Sequence, residues 1–115
     1  MPDDIVLELP LPLSVNKTRK IDWANHRKST AWLRQADAYF LMQKQKLAPP
    51  ILGRFEITIM LREGCQRDAD NCAKSAIDAI RRFRLVTDDD PSHMRKVTIH
   101  FGKVDGCRVT IRAVE

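Results

Sequence analysis

Between Arg54 and Arg62 the chain places Phe55, Ile57, Ile59 and Leu61 at every second position, separated by Glu56, Thr58 and Met60. A period of two sets those four apolar side chains on one face of a β-strand. An apolar face of this kind must be covered by another layer. A helix to supply it follows in the sequence: Ala69, Ala73, Ala76, Ile77 and Ile80 recur at the 3.6-residue period, predicting a helix from about Asp70 to Phe83. Its small residues allow close approach to a sheet. The strand and helix together call for a layered α+β fold.

The remaining elements fit around this pair. Ile5-Val6-Leu7-Glu8-Leu9 reads as a short strand ended by Pro10 and Pro12. Residues 13–28 carry dispersed charge without sustained periodicity and are expected to form a loop. Ser29 or Thr30 then caps a helix that runs to about Lys46, with Trp32, Ala36, Tyr39, Phe40 and Gln43 on one stripe and Pro49-Pro50 as its stop. Two strands close the chain, Lys96-Val97-Thr98-Ile99-His100-Phe101-Gly102 and Cys107-Arg108-Val109-Thr110-Ile111-Arg112. The Asp105-Gly106 pair between them predicts a hairpin turn. The expected order is β-α-β-α-β-β in a single domain over residues 1–115, a mixed sheet with two helices packed on one face.

Bulk properties narrow the class. With 20 Lys+Arg against 15 Asp+Glu the net charge is +5, which permits a polyanionic partner without requiring one. Cys65, Cys72 and Cys107 are odd in number and contain no C-x-x-C pair, which argues against a disulfide framework or structural zinc and for reduced thiols. The acidic start Met1-Pro2-Asp3-Asp4 is unlike the basic start of a secretory signal, and no apolar run has the length of a membrane span. A soluble cytoplasmic protein is expected.

Against this basic background, acids collect at Arg67-Asp68-Ala69-Asp70-Asn71-Cys72-Ala73-Lys74 and again, one helix later, at Asp88-Asp89-Asp90. Carboxylates repel nucleic-acid phosphates unless a divalent cation lies between them, so the pattern suggests a metal-dependent nuclease. If the chain is still extended at the second strand's end, Asp68 and Asp70 point to one side, and Lys74 lies one helical turn beyond Asp70. Each piece also has a structural explanation. An aspartate before a helix is ordinarily an N-cap worth ~1 kcal/mol. Asp70 with Lys74 is a helix pair worth ~0.2–0.5 kcal/mol. An acidic triplet before Pro91 is a solvated turn. The combination is what favours a site, since a strand end and a later loop can deliver three carboxylates to one point.

Leu9-Pro10-x-Pro12-x-Ser14-x-Asn16, Arg67-Asp68-Ala69-Asp70-Asn71-x-x-Lys74, Asp78-Ala79-Ile80 and Asp88-Asp89-Asp90 together resemble the RusA family of Holliday-junction resolvases, of bacterial and prophage origin. The resemblance spans nearly the whole chain in the same order. It implies a small homodimer that binds four-way DNA junctions and makes paired nicks with Mg²⁺ or Mn²⁺ in DNA recombination and repair. It implies Asp68, Asp70 and Asp89 as the essential metal-binding carboxylates and Lys74 as the essential lysine, with Asp88 and Asp90 as near neighbours. Asn71 also matches, as a residue that orients an aspartate or sets the helix start. Many family members have glycine where this chain has Arg84; a left-handed backbone there costs an arginine ~1 kcal/mol.

In the mechanism this implies, the carboxylates hold one or two cations, the metal activates a water for in-line attack, and Lys74 stabilises the developing charge or orients the water. The products are a 5′-phosphate and a 3′-hydroxyl. His26, His93 and His100 are expected at ordinary surface or sheet positions. Lys17, Arg19, Lys20, Arg27 and Lys28 in the early loop, with Arg67 beside the site, are the candidates for phosphate contacts; each is equally explicable as part of a solvated charged loop. Trp32 is expected in the core, and Trp23 is open between core and base stacking. The alternatives are a nuclease for other branched DNA such as flaps and a non-catalytic DNA-binding protein. A structural Ca²⁺ module is disfavoured by the lack of a D-x-D-x-D-G loop.

Overall fold

The structure, a computed structural model, describes residues 4–12, 23–65 and 68–114, with side chains of the first helix described from Thr30 onward. Its elements run β1 (Ile5–Leu9), α1 (Trp23–Gln43, continued by a 3-10 turn over Lys44–Lys46), β2 (Phe55–Arg62), α2 (Ala69–Arg82), β3 (Met94–Gly102) and β4 (Cys107–Ala113). The order β-α-β-α-β-β is the one the periodicities predict. The sheet is mixed, in the order β1-β4-β2-β3. Both neighbours of β4 are antiparallel to it, whereas β3 runs parallel to β2, with Ile57 opposite Val97 and Ile59 opposite Ile99.

One face of this sheet is dry. Ile5, Leu7 and Leu9, Ile57, Ile59 and Leu61, and Cys107, Val109 and Ile111 are buried against Trp32 and Ala36 of α1 and against Cys72, Ala73, Ala76, Ala79 and Ile80 of α2. The alanines of α2 let its axis lie close to the sheet, as their size predicts. The opposite face carries Glu56, Thr58, Arg108, Thr110 and Arg112, none of them buried. Cross-strand ion pairs join Glu8 to Arg108 and Asp4 to Arg112 there, each an exposed pair worth ~0–1 kcal/mol.

Two expectations are corrected. The first is the terminal hairpin: β3 and β4 are not partners, because β2 lies between them. After α2 the chain returns parallel to β2 on its free side, and residues 103–106 then cross over the end of β2. Strand spacing makes that step about 10 Å, within the ~13 Å reach of four extended residues. The crossing is tied down by Arg62 N–H donating to Gly106 O (3.0 Å) and Glu63 N–H to Gly102 O (2.9 Å). Gly106 is needed for approach, since a Cβ there would sit 2.5 Å from the carbonyl oxygen of Leu9.

The second correction is the start of α1, which begins at Trp23 rather than at Ser29 or Thr30. Arg27 and Lys28 are therefore helical. No glycine or proline interrupts residues 13–48, so nothing in the chain stops the helix from extending backward past the two hydroxyl residues. Trp32 is in the core, as expected, and its Nε1 donates to Pro10 O (3.2 Å).

The two sheet edges are treated differently. Along β1, the Gln43 side chain accepts from Glu8 N–H and donates to Glu8 O, both at 2.8 Å, pairing the backbone groups of that residue as a neighbouring strand would. Along β3, none of the described residues bonds to the outer edge. Val97 and Phe101, on the core-facing side, stay 41% and 45% exposed because the helices stop short of them.

Candidate functional site

The chain leaves β2 through a turn in which Gly64 takes φ +81°, a left-handed value that favours glycine. It re-enters regular structure at Asp68, the N-cap of α2, which has extended φ/ψ of −64° and 118° and a carbonyl that accepts from Cys72 N–H (3.0 Å). The Asp68 side chain makes no capping bond. Its Oδ2 instead accepts from Asn71 Nδ2 at 3.3 Å, so Asn71 does orient an aspartate. Asp70 already lies in the first helical turn. The strand alternation expected to aim both carboxylates one way therefore does not apply beyond Asp68.

Asp70 and Lys74 are both exposed, and no salt bridge joins them among the described residues. Two ordinary structural roles for these residues, side-chain cap and helix ion pair, are thus not in use.

Asp89 is elsewhere. The α2 helix ends at Phe83, and Leu85 O accepts from Ile51 N–H (2.9 Å), which returns the chain to the start of β2. Asp88 and Asp89 both approach the Arg81 guanidinium, at 3.7 and 3.6 Å. Arg81 lies 11 residues beyond Asp70, about 16 Å along the helix axis. Asp68, Asp70 and Lys74 are therefore brought together at one end of α2 and Asp88 and Asp89 at the other. Among the described residues no group of three His, Cys, Asp or Glu side chains is placed to hold a metal.

Asp90 has a different role from its neighbours. Its Oδ1 accepts from Ser92 Oγ (2.7 Å) and His93 N–H (3.1 Å) and lies 2.7 Å from His93 Nδ1. The His93 and Ser92 hydrogen bonds hold its carboxyl below the usual range. This closes the turn that starts β3, a task that the ordinary surface position expected for His93 did not anticipate.

Of the proposed phosphate contacts, Lys17, Arg19, Lys20 and Arg67 lie outside the described residues. Arg27 and Lys28 are placed only as backbone in the first two turns of α1, as is Trp23. Sequence reasoning missed a cleft of about 540 Å³ at the sheet end from which α2 departs, where Tyr39, Arg62, Lys103 and Arg108 line a wall shared with Glu8 and Asp105. Its cations come from three strand ends, so no local cluster in the sequence announces them.

No family model matches the chain, and no curated protein matches it either.

Proposed function

We propose that the chain is a divalent-cation-dependent endodeoxyribonuclease acting on branched DNA, four-way junctions foremost, and giving 5′-phosphate and 3′-hydroxyl ends. The observation that carries this reading is the state of the α2 N-terminus. Asp70 and Lys74 stand exposed and unspent on cap or ion pair, beside an Asp68 carboxylate held by Asn71. Carboxylates so placed are oxygen ligands for a hard cation such as Mg²⁺ or Mn²⁺. Lys74 supplies a positive charge within one turn, suited to a phosphate oxygen that gains charge during hydrolysis. Arg62 and Lys103 add cations at the same end of the sheet, where a DNA backbone gains from neutralisation. The motif order shared with RusA resolvases points to junctions, to a homodimer and to a place in recombination and repair in the cytoplasm. No helix among the described residues is long and apolar enough to cross a membrane.

The separation of Asp89 from Asp70 favours a second reading, a protein that binds branched DNA without cutting it. The two are separated by incubating a synthetic four-way junction and a flap substrate with Mg²⁺ and the native chain, Asp70→Asn or Lys74→Ala. Nuclease function requires that the native chain cut and that both variants bind but leave the strands whole. Cutting by Asp70→Asn at the native rate would remove Asp70 from the site. Binding without cutting by the native chain selects the second reading.

A further inference from the structure

We infer that the cleft at the end of the sheet is a subsite for an unpaired nucleotide of a DNA single strand, its phosphate held by Arg62 and Lys103 and its base lying on Tyr39. At about 540 Å³ the cleft has the size of a small-ligand pocket. Its two ends differ in chemistry. Beside β1 stand Pro10, Leu11 and Tyr39; at the end of β2 and in the crossing that follows β3 stand Arg62 and Lys103. The strand order sets β1 and β2 two spacings apart, about 10 Å. A span of that width, apolar at one end and cationic at the other, matches a base, sugar and phosphate in series.

Charge supports the cationic end. The Glu8 carboxylate is taken by Arg108 across the strands. Arg62 and Lys103 are exposed and enter no ion pair among the described residues. Asp105 is the remaining acid in the lining, which leaves two cations against one carboxylate. A phosphate set between the two gains charge-assisted hydrogen bonds from both. The aromatic end is built to stay in place. Tyr39 is 42% exposed, and the turn of α1 that carries it is fixed: its carbonyl accepts from Gln43 Nε2 at 2.8 Å, and Gln43 in turn clasps Glu8. Pro10 beside it is pinned through its carbonyl by Trp32 Nε1. A preformed platform loses little freedom when a flat ring settles on it.

The nucleotide must be unpaired. Inside a duplex the neighbouring bases cover both faces of each base, so one that lies on Tyr39 has left the stack. A free nucleotide offers the same phosphate and the same ring. Position favours a strand instead, and here the inference rests on the branched-DNA reading above. Arg62 ends β2 and Asp68 caps α2 six residues later, so the cleft and the acidic helix start lie within about 20 Å of chain reach. A strand held at Asp70 and Lys74 therefore passes close to the cleft, and a branch point supplies bases without partners.

The test reads binding, not cutting. Anisotropy of a fluorescein-labelled thymidine hexanucleotide is followed with a chelator present, so that no divalent cation contributes. The native chain is expected to bind it. Tyr39→Ala is expected to weaken binding at least about five-fold, the loss of one stacked base, while Tyr39→Phe keeps the ring and the affinity. Arg62→Gln and Lys103→Gln are each expected to weaken binding and to flatten its salt dependence. Arg54→Gln, an exposed cation at the opposite end of β2, is the control expected to bind as the native chain does. Urea midpoints near the native value establish that the variants fold. Native affinity in Tyr39→Ala, or equal weakening by Arg54→Gln and Arg62→Gln, overturns the subsite and leaves only diffuse attraction to a basic surface. Displacement of the hexanucleotide by thymidine monophosphate at equal concentration overturns the strand and shows a pocket for free nucleotide. A chain that holds the hexanucleotide through Tyr39 but never cuts branched DNA removes the nuclease reading and leaves the subsite standing.

Discussion

Arg81 Nη1 lies 3.6 Å from Asp89 Oδ1 and Arg81 Nη2 lies 3.7 Å from Asp88 Oδ1, so one guanidinium gathers two adjacent carboxylates at the last turn of α2. All three side chains are between a third and a half exposed, where such contacts are screened. Arg81→Ala is expected to change the unfolding free energy by less than about 1 kcal/mol, measured by urea denaturation. A larger loss shows that the pair is shielded in the folded protein.

The end of the same helix stores removable strain. Leu85 N–H bonds to Ile80 O (3.1 Å) and Arg84 N–H to Arg81 O (3.0 Å), the paired bonds of a Schellman motif. That motif puts its C′ residue in the left-handed region, and Arg84 is there at φ 59°. Arg84→Gly is expected to stabilise the protein by about 0.5–1 kcal/mol, the relief of the Cβ clash less the extra chain entropy of glycine. Differential scanning calorimetry reads this as a rise in Tm of roughly 2–6 °C. A fall in Tm sinks the assignment of strain.

Gln43 substitutes for a strand beside β1, so its removal acts on that edge. Gln43→Ala is expected to cost about 1–3 kcal/mol, from two hydrogen bonds lost at a part-buried backbone. Hydrogen exchange at the Glu8 amide is expected to accelerate more than at Val109 in the centre of the sheet. Equal acceleration at both shows global destabilisation instead.

The Asp90 carboxyl, lowered by its bonds to His93 and Ser92, sets a pH dependence whose sign is definite. A carboxyl that stays ionised to lower pH in the folded chain than in the unfolded one adds stability above the ordinary carboxylate range, and this is lost as pH falls through the lowered value. Urea midpoints followed from neutral pH down to about pH 3 are expected to fall less steeply for Asp90→Asn than for the native chain. Parallel curves disprove a contribution from this turn.

Local pattern and global arrangement were not equally visible in the chain. The alternation of Phe55, Ile57, Ile59 and Leu61 and the helical spacing of Ala73, Ala76 and Ile80 predict their elements and buried faces, because burial on one side imposes the period directly. Asp105-Gly106 misleads because a turn signal states that the chain reverses, not which strand lies beside it. Arg84 was informative: the position marked as wanting a left-handed backbone has one. The acidic residues were visible as residue types, but where α2 carries them apart is set by helix length and by the return of the chain at Ile51 and Leu85. The cationic cleft draws on three strand ends and leaves no local trace.

The Gln43 clasp on β1 has a bearing on solubility. A sheet open on both sides can recruit copies without end, the geometry of a fibre. Here the β1 flank is capped at Glu8, so among the described residues edge-to-edge association is left to the β3 flank of each participant. Growth then terminates at two chains. An amide side chain far from the acidic residues thus acts as the stop that makes an adhesive strand safe to keep.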